Sequence, residues 1–288
     1  MSDQEFILAP PTVKVNFALE PVLNQLNTLS LLNQAEDLSG FGQWVSNTLE
    51  AMSEERRHNN HMVLGVLLDW DDFIAQPDFE AGIEMVRQTD GEKMWGTILG
   101  HLEEKSAGMD VHFDDDHEAR VRDDVDYYLD ILKATVGKHY EQKGKTLNLA
   151  LYKEVHRLFK DPQQMVDLTV EHLTHMWEHY LKGDWEQSLP LLTESMMAFR
   201  QMDFRGQTAI DTIRMVTGRD LSGYWTGLDN ANNITFVPSA HIGPYVVFHG
   251  GHNKKAHNVL LFGARVPEGI SRSQALGRAE LLVRLNAL

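Results

Sequence analysis

Three histidines, His172, His175 and His179, fall at spacings of three and four residues. Those spacings put three imidazoles on one face of a helix. With Glu171 or Glu178 beside them they resemble a ligand set for zinc or nickel. Successive helical turns stand about 5.4 Å apart, so three ligands on one straight helix do not converge on a tetrahedral ion. Two of the three plus a residue from elsewhere are required. The favoured alternative is a partly exposed polar stripe beside Leu173, Met176, Trp177 and Tyr180.

The acidic stretch from Asp110 to Glu118 offers carboxylates and two histidines. It lacks the glycine at the sixth position of a calcium loop and has Val121 where the bidentate glutamate belongs. A solvated loop whose aspartates favour the positive end of the next helix accounts for it better. Ser239 and His241 are a nucleophile and a base two residues apart, yet the chain has no G-x-S-x-G elbow and no acid is evident to orient the histidine. His241 can instead line a ligand pocket or satisfy backbone groups. Gly250 and Gly251 with Lys254 and Lys255 lie in a hairpin loop and do not open a helix, so they form no P-loop.

An aromatic group, Trp177, Tyr180, Trp185, Tyr224 and Trp225, is a candidate wall for a small-molecule site that His241 completes. Core packing is the competing account. The methionines at 196, 197, 202 and 215 either line an adaptable cavity or fill gaps. Together these residues leave no complete catalytic motif, so the chain is expected to be a binding protein without cofactor; a histidine-dependent metalloenzyme is the weaker alternative.

The elements that must position these groups are mostly helical. Val13, Val15, Phe17 and Leu19 alternate with polar or small residues between Pro10-Pro11 and Pro21, which predicts a short strand. Helical spacing follows to about Thr217, with helices expected over 79–88, 93–102, 121–136, 147–159, 162–181 and 185–203. Breaks are expected at Asp90-Gly91, Gly108, Gly144, Asp161-Pro162 and Gly183-Asp184. Short strands are expected at 234–237, 245–249 and 258–262, the last two as a hairpin. The fold class is therefore α+β, mostly α: a helical domain with a small antiparallel sheet built from the C-terminal strands and the N-terminal strand. The organisation is read as a mainly helical region with an N-terminal strand over 1–230, a small sheet region over 231–267, and a helix over 268–288.

The net charge of −16 opposes broad binding to a phosphate backbone or an anionic membrane. The absence of cysteine excludes disulfides and thiolate metal sites. The N-terminus has neither the basic nor the apolar region of a secretory signal, and no stretch reaches the roughly 18 apolar residues of a membrane span. The cytoplasm is the expected location.

The last segment carries Leu281, Leu282, Leu285 and Leu288 along one face and ends without a cap. From Ala264 onward, arginines 265, 272, 278 and 284 face only Glu268 and Glu280. The runs ITFVPSAHIGPY (234–245), LFGARVPEG (261–269) and RAELLVRLNAL (278–288) resemble the junction in long bacterial transcription regulators of the ArsR type. Looser likeness extends upstream through Trp44-Val45, Asp161-Pro162, Met176-Trp177-Glu178 and Trp185. In that family a helical sensor-like region precedes a winged helix-turn-helix. The resemblance implies an upstream sensing or dimerisation domain whose DNA reader is missing after Leu288, with Arg278 and the four leucines forming the connector. It further implies a homodimer, an unidentified small-molecule effector, and DNA contact only through the winged domain. A stand-alone small-molecule-binding protein is the alternative.

Overall fold

The N-terminal strand and the C-terminal strands, more than two hundred residues apart in sequence, lie side by side in a computed structural model. The structure describes residues 13–35, 37–106, 113, 115–142, 144–225, 228, 231–250 and 258–268. The expected connector residues Arg278, Leu281, Leu282, Leu285 and Leu288 lie outside them, as does the loop 251–257.

The chain runs β1 (Lys14–Phe17), α1 (Pro21–Gln34), α2 (Gln43–Ala51), α3 (Glu54–Met62), α4 (Trp70–Ile74), α5 (Phe79–Arg87) and α6 (Gly91–Ser106). There follow α7 (His117–Asp123), α8 (Val125–Leu132), α9 (Lys138–Gln142), α10 (Leu149–Leu158), α11 (Pro162–Met176), α12 (Lys182–Phe199) and α13 (Ala209–Thr217). Strands β2 (Asn233–Ser239), β3 (Val246–His249) and β4 (Val259–Gly263) complete it. Single π-helical turns occupy Val63–Leu67, Lys133–Gly137 and Trp177–Leu181. The fold is α+β and mostly α. No helix among the described residues is long and apolar enough to cross a membrane.

Two compact units emerge, one drawn from the stretches 1–31, 35–47 and 183–288, the other from 32–34 and 48–182. In the first, the sheet order is β1-β2-β4-β3. β1 does join the sheet, parallel to β2, with Val15 opposite Ile234 and Phe17 opposite Phe236. β3 and β4 form the expected antiparallel hairpin pair. The sheet is nonetheless mixed rather than antiparallel throughout, because β4 inserts between β2 and β3 and runs parallel to β2.

The turn from β2 to β3 explains this. The segment Ala240–Tyr245 crosses over the end of β4 instead of closing a hairpin. Gly243 takes φ +61°, and a Cβ there would stand 1.9 Å from the Gly40 carbonyl oxygen. A Cβ on Gly263 would stand 2.5 Å from the Gly243 carbonyl oxygen. Only bare backbone fits at this crossing.

Alternate residues of the sheet, Phe17, Ile234, Phe236, Leu260 and Phe262, pack with Phe199 of α12 and Ile213 and Val216 of α13. Phe17 stacks between Phe199 and Phe236, with ring centroids 5.8 and 5.5 Å away. On the other face Val237 and Leu261 are also fully buried. The Asn24 amide of α1 donates to the Pro238 carbonyl at 2.7 Å.

In the second unit several helix starts carry their own side-chain cap. Ser53, Asp78 and Asn148 accept from the backbone N–H groups of Arg56, Ala81 and Leu151. The helix expected over 121–136 is divided, because Asp124 caps α8 by accepting from Asp126 and Tyr127. The break expected at Gly183-Asp184 does not occur: α12 runs through both residues and through Pro190. Asp184 engages a side chain elsewhere in its unit rather than capping a new helix.

Candidate functional site

The three histidines separate. His172 is fully buried, and its Nε2 lies 3.0 Å from Asn60 Oδ1. Since an amide oxygen only accepts, His172 donates from Nε2, and its buried Nδ1 has no partner among the described residues. Asn60 in turn donates to Asn33 Oδ1 at 2.8 Å. Burial holds the His172 pKa down at about 3, with the nearby Arg56 guanidinium adding to the effect. His175 is also lowered, chiefly by burial. It stacks on His179 at 4.2 Å, while His179 Nδ1 bonds the His175 carbonyl at 3.0 Å. Among the described residues no group of three His, Asp or Glu side chains stands close enough to hold a metal ion. Glu171 is taken by Arg56 through two bonds of 2.8 Å, which lower the carboxyl pKa.

The acidic stretch is described only in part. Asp115 and Asp116 immediately precede α7, and His117 Nε2 bonds Glu103.

The aromatic candidates are divided between the units. Trp177 and Tyr180 belong to the second, where Trp177 stacks on Phe79 at 5.2 Å and donates from Nε1 to Glu80 at 2.8 Å. Trp185, Tyr224, Trp225 and His241 belong to the first. There Trp225 packs on Phe248 at 5.4 Å, while Tyr224 is 74% exposed. Trp185 is half-buried.

His241 anchors the β2–β3 crossover. Its Nε2 lies 2.7 Å from Asp184 Oδ2, with both side chains largely buried. Trp44 stacks on the imidazole at 5.0 Å, and the His241 carbonyl accepts from Gly42 N–H at 2.9 Å. An acid does therefore orient the histidine, contrary to the sequence-based expectation. A Cβ at Gly42 would lie 2.9 Å from Nδ1, so a side chain at this position would crowd the imidazole. Ser239 Oγ is fully buried without a partner among the described residues. The arrangement clamps a chain crossing.

A second clamp follows β4. Ser195 Oγ donates to the Arg265 carbonyl at 2.8 Å and accepts from Arg265 N–H at 3.1 Å. The Arg265 guanidinium donates to the Val216 carbonyl at 2.8 Å, at the C-terminus of α13, where a cation meets the negative end of the helix.

Beside β1 lies a cleft of about 700 Å³, lined by β1 and by the stretch from Arg200 to Gly206 between α12 and α13. Phe17 and Phe204, 5.7 Å apart, meet at this cleft, with Val15 and Met202 alongside. Arg200 donates from Nη2 to the Phe17 carbonyl and makes no ion pair among the described residues. Asp203 and Arg205 neutralise each other, with Arg205 Nε 2.8 and 3.1 Å from the two carboxylate oxygens and Nη2 2.6 Å from Oδ2. Among these residues, the sequence marks Val13, Val15 and Phe17 only as a strand, and Met202 alone as a possible cavity-lining group, one of several methionines. The cleft exists because β1 is brought to the sheet edge from the far end of the chain, and local pattern carries no signal for that.

Compared with models of known families, with curated proteins and with solved structures, the chain finds no match.

Proposed function

We propose that this chain is the upstream sensing or dimerisation part of a bacterial ArsR-type transcription regulator that reaches DNA through a winged helix-turn-helix following Leu288. The observation that carries this reading is the pair of clamps formed by residues of the resembling runs. His241 and Gly243 belong to the 234–245 run, and Arg265 belongs to the 261–269 run. His241 ties the crossover to α12 through Asp184, and Arg265 ties the chain leaving β4 to α12 through Ser195 and to α13 through Val216. A shift of α12 or α13 is thus passed to the segment after β4, which is what an upstream sensor has to do. In this reading the protein works in the cytoplasm as a homodimer, so that two winged domains meet a palindromic operator, and it carries out no catalysis.

The test is a selection from genomic DNA with the whole product of the reading frame containing this chain, and in parallel with residues 1–288. A palindromic duplex enriched by the whole product and lost on raising salt supports the proposal. A frame that encodes no DNA-binding domain, or equal enrichment by residues 1–288, overturns it. The cleft beside β1 favours one second reading, a stand-alone small-molecule-binding protein, since its volume is within the range of ligand sites.

A further inference from the structure

The cleft beside β1 has a chemical character that narrows what it can hold. Its apolar surface comes from Phe17, Phe204, Met202 and Val15, on the flank of an aromatic core that already packs Phe17 against Phe199 and Phe236. Phe204 and Met202 are only partly buried, so apolar surface remains for a ligand to cover.

The polar groups at the cleft are unequal. The Asp203 charge is spent on Arg205, whose guanidinium holds the carboxyl down to about 2. Arg200 has no carboxylate among the described residues. Among the described residues the cleft therefore carries one positive charge without a carboxylate partner, on a chain whose net charge is −16. The Phe17 carbonyl occupies one corner of the Arg200 fork and fixes its position. A guanidinium has five donors in a rigid plane, which leaves an edge for a planar or tetrahedral oxyanion. Restraint of the side chain before binding lowers the entropy that a ligand must overcome.

We infer that this cleft binds an amphipathic organic anion, an apolar or aromatic body bearing one carboxylate or sulfonate, with the body against Phe204, Met202 and Val15 and the acid group on the Arg200 guanidinium. This deepens the sensor reading by naming the chemical class of its effector. The two fail separately: a cleft that takes no anion leaves the DNA selection standing, and a failed selection leaves the cleft measurable on this chain.

The experiment is a fluorescence titration of the full chain with two probes that share a ring system. One is 8-anilinonaphthalene-1-sulfonate; the other is N-phenyl-1-naphthylamine, which lacks the sulfonate. One saturable site for the sulfonate is expected. R200Q should weaken the sulfonate at least about 10-fold and change the neutral probe less than about 2-fold. R219Q, which removes an exposed arginine outside the cleft lining, should change neither by more than about 2-fold. F204E places a carboxylate on the apolar wall and should abolish sulfonate binding, and it decides the matter if R200Q does not fold. Loss of both probes alike in a folded R200Q, sulfonate binding that survives F204E, or no saturable binding by the full chain overturns the inference. The last result covers a cleft filled by the chain itself.

Discussion

Ser195 and Arg265, seventy residues apart, are joined twice through one hydroxyl: Ser195 Oγ gives its proton to the Arg265 carbonyl and receives the Arg265 N–H. Ser195 is fully buried, so neither backbone group of Arg265 has a ready substitute in water if the hydroxyl is removed. Ser195→Ala is expected to lower unfolding free energy by about 1–3 kcal/mol, the cost of leaving buried polar groups unpaired. Urea denaturation measures it. A change below about 0.5 kcal/mol would show that the clamp contributes nothing.

His172 sets a pH dependence. The unfolded chain takes up a proton at this residue near pH 6.5, whereas the folded chain resists it until about pH 3. Between those values the unfolded state holds more protons, so stability falls as pH drops, by an amount on the order of a few kcal/mol over the interval. His156 and His175, both lowered chiefly by burial, act in the same direction. His172→Gln, which keeps a donor for Asn60, should flatten the stability profile between pH 6.5 and 4 without levelling it. An unchanged slope in the variant would refute the assignment.

The two glycine sites test the crossing. Gly243 and Gly206 both have positive φ, at +61° and +77°, but only Gly243 has backbone against its missing Cβ. Gly206→Ala is expected to cost about 1 kcal/mol, for the backbone conformation alone. Gly243→Ala should cost about 3 kcal/mol or more, because the Gly40 carbonyl must move as well. Equal melting temperatures for the two variants would mean that the crossover is not tightly packed.

Asp184 and His241 should be energetically coupled. Asp184→Ala, His241→Ala and the double variant form a cycle whose interaction free energy is expected at about 1–3 kcal/mol, given a 2.7 Å contact between largely buried groups. Trp44 fluorescence should shift in both single variants, since its ring lies against the imidazole. Additive effects on stability would remove the clamp from the account.

Local chemistry in the sequence determined the class of the fold and the positions of most elements. Period-two alternation marked β1, helical spacing marked the long stretch that follows, and the hairpin of β3 with β4 was legible from its residues, because all these depend on neighbours within a turn or a pleat. What local pattern could not decide was pairing at a distance. It showed His241 but not Asp184, whose place in a helix read as a break, and it showed the N-terminal strand but not the cleft beside it. Only the tertiary structure sent β4 between β2 and β3, because that order depends on three chain segments meeting at Gly40, Gly243 and Gly263, where no room exists for a side chain. It likewise separated His172 from His175 and His179: helical spacing aligned all three, but burial took His172 inward to Asn60 and left the other two stacked on each other.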